Sequence, residues 1–162
     1  MNIHIMISLP FIGFGVFTFV AETLGYELVF HNSRVSIKKG ENVWDMLNIQ
    51  IMFLSAILYA GSLSSTAGIT FFEGYSWLRP GNAVAPFLGY FFGIPGCVGV
   101  AVGELFADSF SGYYSWGSIG GFLGNFALAY VPYKVLHDPP LRGLKNVSYF
   151  VIFGAIGSTL LC

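Results

Sequence analysis

Charge is scarce in this sequence. Asp, Glu, Lys and Arg make up 9% of its 162 residues, against about 25% in an ordinary soluble domain. Hydrophobic residues make up 55% and the mean hydropathy is +0.71. A soluble core of this size cannot enclose that much apolar surface. The composition therefore predicts an integral membrane protein, whose helices of about 20 residues share the bilayer as solvent. Seven basic residues stand against eight acidic ones, which leaves no electrostatic footprint for nucleic acid.

Cysteine and histidine are almost as scarce. Cys97 and Cys162 lie in separate apolar runs, with no CxxC and no histidine at ligand spacing, so both read as small buried hydrophobes and not as a disulfide or metal site. His4, His31 and His137 lie near the termini or in loops. No base therefore accompanies a serine nucleophile, and no catalytic residue, cofactor or metal is expected. His137 and Asp138 precede two prolines and read as a turn, not a metal pair. The first apolar run lacks a basic n-region and a small-residue cleavage site, and it carries Pro10 and Glu22. It reads as an uncleaved span, not a signal peptide.

What remains is a series of apolar runs separated by short polar stretches. The fold class expected is all-α: one polytopic membrane domain, residues 1–162, of about six transmembrane helices. The spans are 1–30, 47–72, 80–93, 95–112, 117–136 and 147–162. Glu22 and Glu27 fall towards the end of the first, and His31 to Asp45 is read as a polar loop. Leu47 to Phe72 runs without a charge, long enough to cross with some tilt. Along it Ala56, Ala60, Ser64 and Gly68 recur every fourth residue, a groove for another helix. Packing inside this bundle and docking of a partner subunit both fit that pattern. Lys134, near the end of the 117–136 span, is placed to snorkel to the interface.

Asn82 to Gly103 is either one kinked span or two arms of a hairpin turning at Gly93, Ile94, Pro95 and Gly96. Charge decides between them. As one span, Arg34, Lys38 and Lys39 face Arg79, Lys134, Arg142 and Lys145 across the membrane, with no bias. As a hairpin, six basic residues share one side and Arg79 stands alone on the other. The positive-inside rule favours the hairpin, and glycine and proline supply its turn chemistry. Short, Gly/Pro-interrupted arms are tolerated where neighbours or a polar cavity satisfy the freed backbone, which points to a binding site.

In this topology Asn82, Glu104, Asp108 and Asn125 all lie in the outer half of the bundle. Glu104 and Asp108 are four residues apart and share a helix face. Polar residues at such positions are functional candidates. Trp77 and Trp116, with Tyr75, Tyr113 and Tyr114, occupy the outer loops and serve either as a lid over a small molecule or as an interfacial belt. Arg79 stands where it would neutralise Glu104 or Asp108.

The order of SAILYAG, LRPGNAVAPFLGYFFGIPGCVGVAVGELFAD and FLGNFALAYVPYK resembles the substrate-binding S components of energy-coupling-factor (ECF) transporters, from about Trp44 to Lys134. The resemblance implies a six-helix membrane bundle in the cell membrane with a site near the outer face. Loops 73–81 and 111–116 would close that site. It also implies docking of the small-residue helix, through Ala56, Ala60 and Ser64, on a membrane coupling subunit, with ATP hydrolysed by a pair of partner ATPases. Aligned on Leu47 to Phe72 as the family's first helix, Met1 to Phe30 becomes an additional span, and the family's final helix has no counterpart. The expected substrate is a small vitamin-like or nucleobase-like molecule, bound by Asn82, Glu104, Asp108, Asn125, Trp116, Arg79 and Trp77. The alternatives are a membrane sensing or anchoring module and a structural subunit of a larger membrane complex.

Sidedness is directly measurable. Ser111→Cys and Gly143→Cys, each placed alone in a background lacking Cys97 and Cys162, are to be treated in intact cells with an impermeant thiol reagent. Labelling of the Ser111→Cys variant alone is the outcome expected. Labelling of the Gly143→Cys variant instead would put the acidic pair opposite Asn82 and remove the hairpin topology.

Overall fold

The computed structural model describes residues 3–31, 34–40, 43–66, 80–112, 114–136 and 144–151. Its elements in order are α1 (Ile3–Thr23), β1 (Tyr26–His31), β2 (Arg34–Lys39), α2 (Met46–Thr66), a 3₁₀ turn (Pro80–Ala83), α3 (Val84–Ser111), α4 (Trp116–Leu136) and the short α5 (Leu144–Tyr149). The chain is predominantly helical. Among the described residues two helical stretches, Met46–Thr66 and Gly81–Ser111, are long and apolar enough to cross a membrane. Large apolar side chains cover the outward faces, with Phe53, Leu54, Ile57 and Leu58 exposed on α2 and Phe14, Phe17 and Val20 on α1. Surface of that kind marks a membrane or a partner.

The β-hairpin corrects the expectation for the first 45 residues. Met1 to Phe30 is not one continuous helix, and His31 to Asp45 is not all loop. α1 stops at Thr23, and Gly25 takes a positive φ of 80°, the left-handed conformation that ends helices at little cost for glycine. The following residues alternate as Tyr26, Leu28 and Phe30, and β1 pairs antiparallel with β2 in the register Tyr26↔Lys39 to His31↔Arg34. Leu28 is buried while Tyr26 and Ile37 stay exposed. The base of the hairpin closes by a bond from Gly40 N to the Gly25 carbonyl at 2.8 Å.

Helix α2 starts where Asp45 Oδ1 accepts the Asn48 amide at 2.7 Å, an aspartate N-cap. Its buried residues, Ser55, Ala56, Tyr59 and Leu63, fall at helical spacing on one face, which packs on α3. The approach is close because α3 presents glycines there. A Cβ at Gly99 would lie 2.6 Å from Ser55 Cβ, and one at Gly103 would lie 2.7 Å from the Ala56 carbonyl oxygen. On the opposite side Gly89 meets α4, where an added Cβ would lie 2.6 Å from the Ala129 carbonyl carbon. The small-residue face of α2 is thus occupied within the chain at Ala56, which is 1% exposed. Ala60 packs on the core, Ser64 is exposed, and Gly68 lies outside the described residues.

α3 is broken at Gly93, whose φ of 62° and ψ of −142° belong to a region open essentially to glycine alone. Gly96 then sits against Leu88, with an added Cβ only 2.9 Å from the Leu88 carbonyl carbon. Eight residues of unbroken helix span about 12 Å, so the chain folds back at Gly93. Both arms lie along α4: Gly89 at Ala129 and Gly93 at Tyr133 on one arm, Glu104 at Gly121 on the other. The second arm ends at Gly112, again left-handed at φ 72°, with its amide bonded to the carbonyls of Asp108 and Ser109. α1 joins α4 through Phe19, whose ring lies edge-on to Phe122 and Phe126 at 5.1 and 5.0 Å. Phe150, following α5, packs its ring on Phe87 and Tyr90 of the first arm.

These contacts predict a sharp contrast between glycines. Gly89→Val overpacks the α3–α4 contact and is expected to cost about 1–3 kcal/mol or more, read as a lowered unfolding midpoint in detergent. Gly61→Ala and Gly120→Ala meet nothing within 4 Å and are expected to be neutral or stabilising by up to about 1 kcal/mol. Equal effects at all three positions would contradict the packing described.

Candidate functional site

The residues singled out in the sequence converge through one that was not: Tyr59. Its ring is fully buried between α2 and α3. Its hydroxyl lies 3.0 Å from the Asn82 amide and 2.5 Å from that of Asn125. A hydroxyl has one proton, so it cannot donate to both. Asn125 Nδ2 donates to the Gly121 carbonyl at 2.9 Å, which turns its oxygen towards Tyr59. Tyr59 therefore donates to Asn125 Oδ1 over the shorter bond, and Asn82 Oδ1, the other acceptor within reach, lies at 3.0 Å. Three elements meet in this way: α2, the 3₁₀ turn and α4.

Glu104 stands beside that network. It is 5% exposed, and its Cγ and Oε1 lie 3.5 Å from where a Cβ on Gly121 would stand. Gly121 is the residue whose carbonyl holds Asn125, so the Glu104 carboxylate and the Asn82–Tyr59–Asn125 chain adjoin along α4. One turn further on, Asp108 Oδ2 accepts the Ser118 hydroxyl at 2.6 Å. The same hydroxyl oxygen accepts the Ser115 amide at 3.2 Å, and Ser115 Oγ accepts the Gly117 amide at 3.2 Å. Asp108 thereby fastens the end of α3 to the start of α4. Trp116 opens α4, although its side chain lies outside the described residues, as do Arg79 and Trp77.

A second polar group lies at the far end of α4. Glu22, 3% exposed, places one oxygen, Oε1, 3.0 Å from Lys134 Nζ, 3.1 Å from the Leu28 amide and 2.5 Å from the Tyr130 hydroxyl. Lys134 Nζ also reaches Glu27 at 3.3 Å and sits 5.3 Å from the Tyr133 ring centroid. The side chain of Lys134 is 10% exposed. Its ammonium is held by a carboxylate that is itself buried. An unpaired buried charge is strongly unfavourable, which accounts for the enclosure of both partners together. Asn125 and Tyr133 are eight residues apart, so the two polar groups are separated by about 12 Å along α4.

Two signals for these groupings were available in the sequence. Tyr59 is a hydroxyl-bearing ring inside an apolar run, and a buried tyrosine hydroxyl ordinarily finds a partner. Glu22 and Lys134 are opposite charges at two span ends, although nothing local shows that they meet.

Among the described residues no three His, Cys, Asp or Glu side chains are grouped as metal ligands. The arrangement instead offers hydrogen-bond acceptors, Glu104 and Asp108, beside an amide–hydroxyl–amide chain inside an apolar bundle. Comparisons with protein-family models, curated proteins and solved structures return no match for this chain.

Tyr59→Phe removes the shared hydroxyl while keeping the ring. The expected loss is about 0.5–1.5 kcal/mol of unfolding free energy. It should be non-additive with Asn82→Ala, because both changes break the same bond. Full additivity in a double-mutant cycle would show that the network is not coupled.

Proposed function

We propose that this chain is a multi-pass membrane protein of about six spans that captures a small molecule for an ECF-type transporter. Its ligand, vitamin-like or nucleobase-like, enters near the outer face. The observation that carries the reading is the burial of Glu104 next to the Asn82–Tyr59–Asn125 network. A carboxylate enclosed among apolar helices has a high cost unless donors reach it. A ligand that presents N–H groups adds donors to that carboxylate while its rings or stems occupy apolar surface.

In this reading Glu104 and Asp108 accept from the ligand, Asn82 and Asn125 orient it, and Trp77, Arg79 and Trp116 belong to the loops that cover it. The chain has no reaction of its own. Energy comes from an ATPase pair, through a membrane coupling subunit that meets the bundle on an apolar outer face. Ser64, exposed on α2, remains available to that contact, whereas Ala56 acts inside the bundle.

One observation favours a second reading, a structural subunit. The Tyr59, Asn82 and Asn125 groups bond one another, as helix-fastening groups do. Purification of the tagged full chain from its native membrane separates the two. Recovery of an ATPase pair and a coupling protein, with a small molecule that co-elutes and is identified by mass spectrometry, is the expected result. Glu104→Gln is expected to weaken retention of that molecule by about 10- to 100-fold, the range of a lost charge-assisted hydrogen bond. A folded Glu104→Gln protein that retains the molecule as well as the parent would remove Glu104 from the site. Recovery of a large membrane complex without ATPases would support the structural reading.

A further inference from the structure

At the opposite end of α4 from Glu104 there is a cavity of about 250 Å³. It is framed by the end of α1, the base of the β-hairpin, the start of α2, the fold-back of α3 and the end of α4. Glu22, Tyr26, Glu27, Asn48, Ile94 and Tyr133 line it. We infer that this cavity is a binding site for a compact organic cation, an alkylammonium or alkylguanidinium head on a short stem. The inference is independent of the function proposed for the Glu104 end.

Four observations converge on that ligand. First, the described residues of the lining include two carboxylates and no lysine, arginine or histidine. Lys134 is shared between Glu22 and Glu27, so a single ammonium serves two carboxylates. Lys38 stands opposite Glu27 and Lys39 opposite Tyr26 across the hairpin, both exposed to solvent, as is Asp45 at the start of α2. Second, Glu22 is nearly enclosed, yet its three hydrogen-bonding partners all converge on Oε1. Its other oxygen, Oε2, takes no part in these three contacts, and Glu22 lines the cavity.

Third, Tyr26 and Tyr133 belong to the lining, and aromatic faces attract organic cations in partly desolvated surroundings. Lys134 already makes this kind of contact with Tyr133. Fourth, the described residues supply two carboxylates here and no group of three metal-ligating side chains. A divalent metal lacks a donor set, and an anion meets the wrong charge. Asn48, Val43 and Ile94 complete a lining of mixed polar and apolar residues, which suits an ionic head on a short hydrocarbon stem.

The test uses the full chain in nanodiscs with Trp77→Phe and Trp116→Phe, leaving Trp44 as the sole tryptophan. Trp44 adjoins Val43, a wall residue, and its indole donates to the Thr23 carbonyl at 2.6 Å. Propylammonium chloride is expected to change Trp44 emission saturably, whereas propanol and potassium chloride at the same concentrations are not. Glu27→Gln, at a carboxylate half-exposed to solvent and so tolerated by the fold, is expected to raise the half-saturating concentration at least about tenfold. Tyr26→Leu is expected to raise it severalfold. A non-saturable response, an equal response to propanol, or an unchanged titration in Glu27→Gln would overturn the assignment. Each of those failures leaves the Glu104 reading intact, since that reading concerns the other end of the bundle.

Discussion

The architecture depends on how closely three helices approach one another. α3 lies between α2 and α4 and touches both with backbone, because Gly99 and Gly103 face one neighbour and Gly89 the other. At these points side chains are replaced by carbonyls and α carbons in direct contact. That proximity brings the Tyr59 hydroxyl within bonding distance of Asn82 and Asn125. A helix separation widened by one methyl group would part all three groups, since a hydrogen bond tolerates only a few tenths of an ångström. The polar network is therefore a consequence of the glycine contacts, not an addition to them.

The rest of the chain is attached to this core by a different kind of force. α1 and the β-hairpin reach α4 through aromatic edges at Phe19 and through the Glu22–Lys134–Glu27 group. The first contact is non-directional, while the second fixes register, because one ammonium must satisfy carboxylates on two elements at once. Burial of an ion pair contributes little net stability on its own and more to uniqueness of arrangement, in those systems where it has been dissected. Here it specifies which face of α1 meets α4.

Legibility in the sequence followed the range of the interaction. From Leu47 to Thr66 the uncharged run coincides with α2, its remainder to Phe72 lying outside the described residues, and the GIPG stretch falls where α3 folds back at Gly93, because a missing charge and a glycine are both local facts. Asn82, Glu104 and Asn125 were visible as polar residues in apolar surroundings, and they do lie together. The β-hairpin was hidden because YELVFH adds to an apolar count that takes no notice of period. Read by alternation, Tyr26, Leu28 and Phe30 give the two-residue repeat of a strand. The small-residue repeat at Ala56 and Ala60 left two partners open, and only the position of Gly103 shows which of them Ala56 meets. Capture of Lys134 by Glu22, more than a hundred residues away, left no local trace.

The single proton of Tyr59 limits how many elements its hydroxyl can tie together. Two carbonyl oxygens stand within its reach, Asn82 Oδ1 at 3.0 Å and Asn125 Oδ1 at 2.5 Å, and one O–H serves one acceptor at a time. The Asn125 oxygen is the nearer, and it is aimed by the bond from its own Nδ2 to the Gly121 carbonyl. Whenever that oxygen holds the proton, the hydroxyl joins α2 to α4 and leaves the 3₁₀ turn to its other bonds, from Ser62 Oγ to the Gly81 carbonyl and from the Gly81 amide to Thr66 Oγ1. A carbonyl on α4 thus decides which neighbour of α2 is tied through tyrosine and which through serine and threonine.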